Sequence, residues 1–290
     1  MSCRINKGRL RVGEDLTVET DLAVADSKQI HKANIEVHRF EAVYYELFHP
    51  EVYGKQEQKR INSILGTASG LVGDNRKKAL DVGAGTGNLT DKLLSMGYNV
   101  TAVDISAEMC QILRRKNRLF LEAGKLTVIN SPIEEARFTK GEFDLITGYS
   151  VLHHLPDYAS AIRVLSLWLK KTGVMYFDHE PSPYYWKKEP SALANFVKDA
   201  YSHSNPAINS LHFRIAGVKF PSLDYTLSDY WHKKEHPLDH EQIEAAFIEE
   251  NFEFSRRFDY HLKGTWIFNP LFPIYKRVCS PEMSCWIVRK

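Results

Sequence analysis

The stretch "KKALDVGAGTGNLTDKLL", residues 77–94, constrains this chain more than any other. A short apolar run enters three alternate glycines, Gly83, Gly85 and Gly87, and leaves as a helical pattern. Glycines placed there let backbone N–H groups approach an anionic or zwitterionic ligand beside a helix N-terminus. The same rhythm continues downstream. "ALDV" (79–82), "NVTAVD" (99–104), "KLTVI" (125–129), "FDLITGYS" (143–150) and "GVMYFD" (173–178) read as five strands. "NLTDKLLSM", stopped by Gly97, "SAEMCQILRRKNRLFLEAG", capped by Ser106, and "YASAIRVLSLWLK" read as helices between them. Such alternation predicts a parallel sheet covered on both faces.

The flanks complete the expected organisation. Residues 1–35 are polar and weakly patterned, and predict a loose or edge-packed arm. Residues 36–75 predict a helical segment broken near Pro50, residues 76–180 the sheet core, and residues 181–235 an inserted cap too long for a plain connection. Residues 236–290 return to the sheet. Asp239 with Gln242 three positions on has the pattern of a capping box. "FEFSRRFDY" and "SCWIVRK" predict two closing strands with no helix covering their connection, hence an antiparallel pair at the sheet edge. The expected fold is α/β: a seven-stranded, mostly parallel, doubly wound sheet with helices on both faces, an antiparallel edge strand, and a cap between strands five and six.

Composition narrows the function only by exclusion. A net charge of +2 provides no general drive toward nucleic acid or an anionic membrane. No apolar run reaches the roughly 18 residues of a membrane span. The N-terminal "MSCRINKGRLRVGEDLTVETD" lacks a signal-peptide core. Cys3, Cys110, Cys279 and Cys285 form no CxxC pair and read as reduced thiols, so a cytoplasmic location is expected.

The glycine loop by itself admits several nucleotides. The residues do not fit GxxxxGK[ST]. A dinucleotide loop needs GxGxxG or GxGxxA, and the last position is Asn88 counted from Gly83, or Thr90 counted from Gly85. Both counts argue against NAD or FAD.

Three segments in order then resemble four motifs of the class I, Rossmann-like S-adenosylmethionine-dependent methyltransferases: "LDVGAGTGNLT", "VTAVDIS", and "SPIEEARFTKGEFDLITGYSVLHHLPD", which matches two consecutive motifs of that family. The resemblance spans about residues 36–180 and implies S-adenosyl-L-methionine as cofactor, with S-adenosyl-L-homocysteine as product. It implies cofactor contacts at Asp81, Gly83, Ala84, Gly85, Gly87, Asp104, Ile105, Ile133 and Tyr149. Asp104, ending strand two, stands where the family's acid meets the ribose hydroxyls. Pro132 occupies the position where the family often has an acid for adenine, leaving Asn130 or the backbone near Ile133 to that task. The segment holding Tyr44, Tyr45, Phe48 and Tyr53 corresponds to a lid over the cofactor. Tyr53 is its candidate contact, while Phe40, Tyr44 and Phe48 fit ordinary helix packing as well.

Methyl transfer from a sulfonium needs donor and acceptor held in line and dry, with a base only where the acceptor would otherwise stay protonated. The candidates are Tyr149, His154 and His179. His154, in "VLHHLPD", reads more readily as a histidine closing a strand and capping a helix. His179, between Asp178 and Glu180, reads equally as part of a solvated strand end. Adjacent strand residues point to opposite faces, so no metal site is expected in "FDHEP". The cap aromatics, among them Tyr184, Tyr185, Trp186, Phe196, Tyr201, Phe213, Phe220, Tyr225, Tyr230 and Trp231, predict a pocket with flat or apolar walls. Lys187, Lys188, Lys233 and Lys234 are expected as a solvated rim or as a patch that attracts an acidic substrate.

The leading expectation is a small-molecule methyltransferase, with the acceptor an oxygen, nitrogen or carbon atom. One alternative is a cofactor-binding regulatory or scaffold protein without catalysis. Another is a nucleic-acid or protein methyltransferase. The chain has Gly148-Tyr149-Ser150-Val151 where amino-methylating nucleic-acid enzymes carry [ND]PP[YF], and "NPLF" at 269–272 is misplaced for that role. No nucleic-acid partner is expected. The oligomeric state is open, a homodimer being one option.

Overall fold

The computed structural model describes residues 17–42, 45–72, 78–201, 228, 237–262 and 272–290. Its strands are β1 (Lys78–Val82), β2 (Asn99–Asp104), β3 (Leu126–Asn130), β4 (Phe143–Tyr149), β5 (Leu169–Pro181), β6 (Glu253–Tyr260) and β7 (Met283–Arg289). Its helices are α1 (Thr17–Glu41), α2 (Tyr45–Phe48), α3 (Pro50–Tyr53), α4 (Lys55–Val72), α5 (Asn88–Ser95), α6 (Ala107–Lys116), α7 (Arg118–Glu122), α8 (Tyr158–Trp168), α9 (Ala192–Tyr201), α10 (His240–Glu249) and α11 (Phe272–Val278).

The strands form one sheet in the order β3-β2-β1-β4-β5-β7-β6, with β1 to β5 parallel. Strand β7 runs antiparallel to both β5 and β6. The expected antiparallel pair is therefore at the edge, but the reversed strand is β7, one position in, and β6 takes the edge itself. Alternation along each strand splits the core in two. Leu80, Ile146 and Phe177 pack toward Ile162 and Leu165 of α8 and Phe247 of α10. Ala79, Leu145 and Tyr176 pack toward Ile61 and Leu65 of α4 and Leu93 of α5. Ile61 and Leu65 are fully buried, each contributing about 1.5–3 kcal/mol that holds α4 on the sheet. The strand order reverses between β1 and β4, which opens a crevice beyond their carboxyl ends.

Four local expectations change. Residues 17–33, expected as a loose or edge-packed arm, are helical, and the boundary placed at residue 36 falls inside α1. Among its described side chains Ile30, Ala33 and Val37 are the buried apolar ones, in a stretch too polar for the pattern to stand out. The long helix predicted after strand two breaks at Asn117, whose side chain turns to Asp91 Oδ1 (2.6 Å) and the Leu113 carbonyl. The connection between β6 and β7 does hold a helix, α11, anchored by buried Tyr275. Asp239 caps α10 by accepting from the amides of Glu241 and Gln242, but its own amide donates to the Tyr158 hydroxyl, so the reciprocal half of the capping box is replaced by a contact with α8.

Of the cap, the structure describes residues 181–201 and Ser228. Tyr184 is 41% and Phe196 71% exposed, so neither forms a pocket wall among the described residues. Tyr44, Phe213, Phe220, Tyr225, Tyr230, Trp231, Lys233 and Lys234 lie outside the described residues, as do the side chains of Phe48 and Tyr201.

Candidate functional site

The glycine loop leaves β1 with three left-handed residues: Gly83 at φ 63°, Gly85 at φ 54° and Gly87 at φ 101°. A Cβ on Gly83 would stand 2.5 Å from Val151 Cγ2, so the loop passes directly under the turn that follows β4. A Cβ on Gly85 would meet nothing within 4 Å. The Gly85 amide donates to Asp104 Oδ2 (2.7 Å), and the Ser106 amide donates to Oδ1 (2.8 Å). The end of β2 is thereby tied to the glycine loop, and burial pushes the Asp104 carboxyl above the usual carboxylate range.

These groups open on a cleft of about 700 Å³, counted with the space open to solvent. Gly83, Gly85, Asp104, Ile105, Pro132 and Ile133 form one side. Tyr149, Val151 and His154 form another, and His31, Asn34 and His38 of α1 with Tyr45 of α2 form a roof. Asn130 does not line this cleft. Its amide donates to the carbonyls of Asp104 and Ile105, which fixes the backbone leaving β2.

Four of the residues expected at the cofactor support the loop from behind. Asp81 is buried and accepts from Thr90 (2.6 Å) and Thr147 (3.0 Å), and burial raises its carboxyl to about 6. Ala84 donates its amide to the Val103 carbonyl, and Gly87 caps α5. The Tyr53 hydroxyl meets Thr86 Oγ1 at 3.0 Å. Tyr45 packs edge-on to Tyr53 and against His49, and His49 lies between Glu41 and Glu51. Those two carboxylates raise the His49 imidazole to about 10 against the lowering effect of burial, so it pins the roof as a cation.

The three candidate catalytic side chains separate. Tyr149 and His154 line the cleft. His154 Nδ1 meets the Ser228 carbonyl (2.9 Å), and its ring packs edge-on against His38. His179 does not line the cleft. It is the extra residue of a β-bulge, for Asp178 and Glu180 pair with the consecutive residues Cys285 and Ser284, and its φ is 63°. The bulge breaks the strict alternation assumed for "FDHEP". Asp178 faces α4, where it meets Arg60. Glu180 instead accepts from the amides of Val151, Leu152 and His153 and from His153 Nδ1, holding the turn after β4. The His179 ring stacks on Tyr149 with centroids 4.7 Å apart.

Behind Tyr149 lies a polar cluster from four elements. Arg60 of α4 forks onto both oxygens of Glu57 and reaches Asp178 Oδ2 at 2.8 Å. Tyr149 donates to Glu57 Oε1 (3.1 Å), Tyr260 of β6 donates to Asp178 Oδ1 (2.9 Å), and Tyr176 donates to Asp178 Oδ2. Burial raises the phenols of Tyr149, Tyr176 and Tyr260 well above their usual value and raises the Glu57 carboxyl. Sequence reasoning missed Glu57, Arg60 and Tyr260 here, and His31, Asn34 and His38 in the roof. The spacing of Glu57 and Arg60 puts them on one helix face, but nothing in the sequence joins that face to residues 149, 178 and 260.

Among the described residues no group of three or more His, Cys, Asp or Glu is placed to hold a metal ion, and no helix is long and apolar enough to cross a membrane.

Comparison with known proteins bears on the domain and the fold. Residues 80–177 match the family described as "Methyltransferase domain". A ubiquinone biosynthesis O-methyltransferase of Vibrio campbellii is 38% identical over 121 residues, 41% of this chain and 49% of that protein. One from Actinobacillus pleuropneumoniae is 32% identical over 122 residues, 41% of this chain and 51% of that protein. The chain thus spans about half the length of the curated relatives it matches. Among solved structures, an S-adenosylmethionine-dependent methyltransferase from Mesorhizobium loti superposes with TM-score 0.51 at 16% identity, covering 84% of this chain and 100% of that one. A magnesium protoporphyrin IX methyltransferase from Synechocystis, solved with bound S-adenosylhomocysteine, gives 0.52 at 15%, covering 89% and 99%. The fold is the Rossmann-like fold of these methyltransferases.

Proposed function

We propose that this chain, whose residues 80–177 form a methyltransferase domain, moves the methyl group of S-adenosylmethionine to a hydroxyl oxygen of a small aromatic molecule. The observation that carries the reading is Asp104. It ends β2 on the cleft, and each of its oxygens accepts one amide hydrogen. That leaves acceptor capacity on both oxygens for a pair of ribose hydroxyls. The rest of the cleft suits the same cofactor. The backbone at Gly85 comes up to open space, and Ile105, Pro132 and Ile133 offer an apolar seat for adenine. Asp81, Ala84, Gly87 and Tyr53 act through the loop rather than by touching the cofactor.

Bound S-adenosylmethionine supplies a methyl group already activated by its positive sulfur. The chain must align the acceptor, exclude water and take up a proton. We assign the proton to His154. A carbonyl only accepts, so His154 Nδ1 donates to Ser228, and Nε2 becomes the basic atom of a ring on the cleft wall. Tyr149, His38 and His154 supply flat surfaces suited to an aromatic ring. The relatives' description as O-methyltransferases supports oxygen as the acceptor atom.

Calorimetry with S-adenosylmethionine, S-adenosylhomocysteine and NAD tests the cofactor. Methyl-tritiated cofactor offered with hydroxylated aromatics, amines and thiols tests the acceptor. Binding of NAD alone, or label on amines or thiols only, would overturn the reading.

A further inference from the structure

The cluster behind Tyr149 contains more information than its contacts alone. A phenol has one hydrogen to donate. The Tyr149 hydrogen is given to Glu57 Oε1, and the Tyr260 hydrogen to Asp178 Oδ1. Both acceptors are carboxylates: Glu57 receives the Arg60 fork on both oxygens, and Asp178 receives Arg60 and Tyr176 on Oδ2 and the His179 amide on Oδ1. Each phenol oxygen therefore turns only lone pairs toward His179 Nδ1, at 2.9 Å from Tyr149 and 3.4 Å from Tyr260. Two acceptors cannot bond to a bare nitrogen.

We infer that His179 carries a hydrogen on Nδ1, placed there by Glu57 and Asp178 through the two tyrosines, and that Glu57, Arg60 and His179 are positioning residues holding Tyr149 on the cleft wall. The chain of effects runs from α4 to the cleft. Arg60 aligns the Glu57 carboxylate, Glu57 orients the Tyr149 hydroxyl, and the His179 ring both donates to that oxygen and stacks on the phenol. The bulge makes this possible, for it turns His179 toward Tyr149. The assignment of Tyr149 as a wall of the transfer site rests on the proposed methyltransferase reading. The hydrogen on Nδ1 does not.

Long-range 1H–15N correlation spectra of the histidine rings, recorded on the whole chain without cofactor and assigned with His179→Gln, read the protonation of each ring nitrogen. A hydrogen on Nδ1 of His179 is expected, and a bare Nδ1 would overturn the inference in the unmodified protein, whatever any variant does. In Glu57→Leu the Tyr149 hydrogen is released to face Nδ1, and the ring should shift toward the Nε2–H form. Glu57→Gln should preserve Nδ1–H, because the oxygen at the Oε1 position still accepts from both Arg60 and Tyr149. Calorimetry with S-adenosylhomocysteine should show about tenfold weaker binding for Glu57→Leu and near-normal binding for Glu57→Gln. A folded Glu57→Leu with an unchanged His179 ring, or with full affinity, would sink the role of Glu57. Failure of the unmodified protein to bind S-adenosylhomocysteine would count against the methyltransferase reading and leave the Nδ1 result standing on its own.

Discussion

The Gly85 amide and the Asp104 carboxylate meet at 2.7 Å, joining the loop after β1 to the end of β2 at the point where the cleft opens. One charge-assisted bond thus orders both the backbone and the acid that the cofactor would meet. Asp104→Asn keeps the size but loses the charge. S-adenosylhomocysteine affinity should fall about 10- to 100-fold, as expected for hydrogen bonds to a charged group. Isothermal calorimetry reads it, and unchanged affinity would remove Asp104 from the site.

Two of the three loop glycines should fail in different ways. In Gly83→Ala the new Cβ collides with Val151 at 2.5 Å in a left-handed backbone, so stability should drop by about 1–3 kcal/mol. In Gly85→Ala the Cβ meets no protein atom and only the backbone strain remains, about 1–2 kcal/mol, while the methyl group enters the cleft. Gly85→Ala should therefore impair binding more than folding. Thermal unfolding beside calorimetry separates the two.

Asp81 makes stability depend on pH. Burial is the largest influence on its carboxyl and raises it to about 6, against the hydrogen bonds from Thr90 and Thr147. A folded pKa above the unfolded one means stability fully present below about pH 4 and lost as pH rises to about 6. Relative to Asp81→Asn, the unmodified protein should lose roughly 3 kcal/mol across that window. Urea unfolding at a series of pH values measures the difference, and parallel curves would contradict the assignment.

Arg60 separates two carboxylates, Glu57 partly buried and Asp178 fully buried. Arg60→Met leaves Glu57 and Asp178 facing each other without a cation, which should cost about 3–5 kcal/mol. Arg60→Met combined with Asp178→Asn should recover part of that loss. Chemical denaturation of the single and double variants gives the coupling.

His154→Ala should lower turnover about 10²- to 10⁴-fold once an acceptor is in hand, the usual contribution of a positioned base. Affinity for S-adenosylhomocysteine should change far less. Single-turnover kinetics beside calorimetry tests both halves, and full activity would return the proton to another group.

The sheet core was legible because its signals are local. Five apolar runs of strand length, each followed by a glycine, a cap or a helical pattern, fix the order of β1 to β5, and short connections leave few alternatives. The glycine loop and Asp104 were legible for the same reason, since each ends a strand of known direction. The helical nature of residues 17–33 was hidden by the polar composition of that stretch, and the bulge at His179 is invisible to a rule of strict alternation.

By itself, then, the sequence determined which strands form, where the glycine loop leaves β1, and which acid ends β2. These depend on neighbours a few positions away. Only the tertiary structure decided that Glu57 and Arg60 stand beside Tyr149, Asp178, His179 and Tyr260, that α1 roofs the cleft, and that His154 rather than His179 lines it. The reason is physical. Those groups lie far apart in the chain, Arg60 and Tyr260 by 200 positions. Their partners are set by how helices and strands pack and by one extra residue in β5, which no periodicity in the chain records.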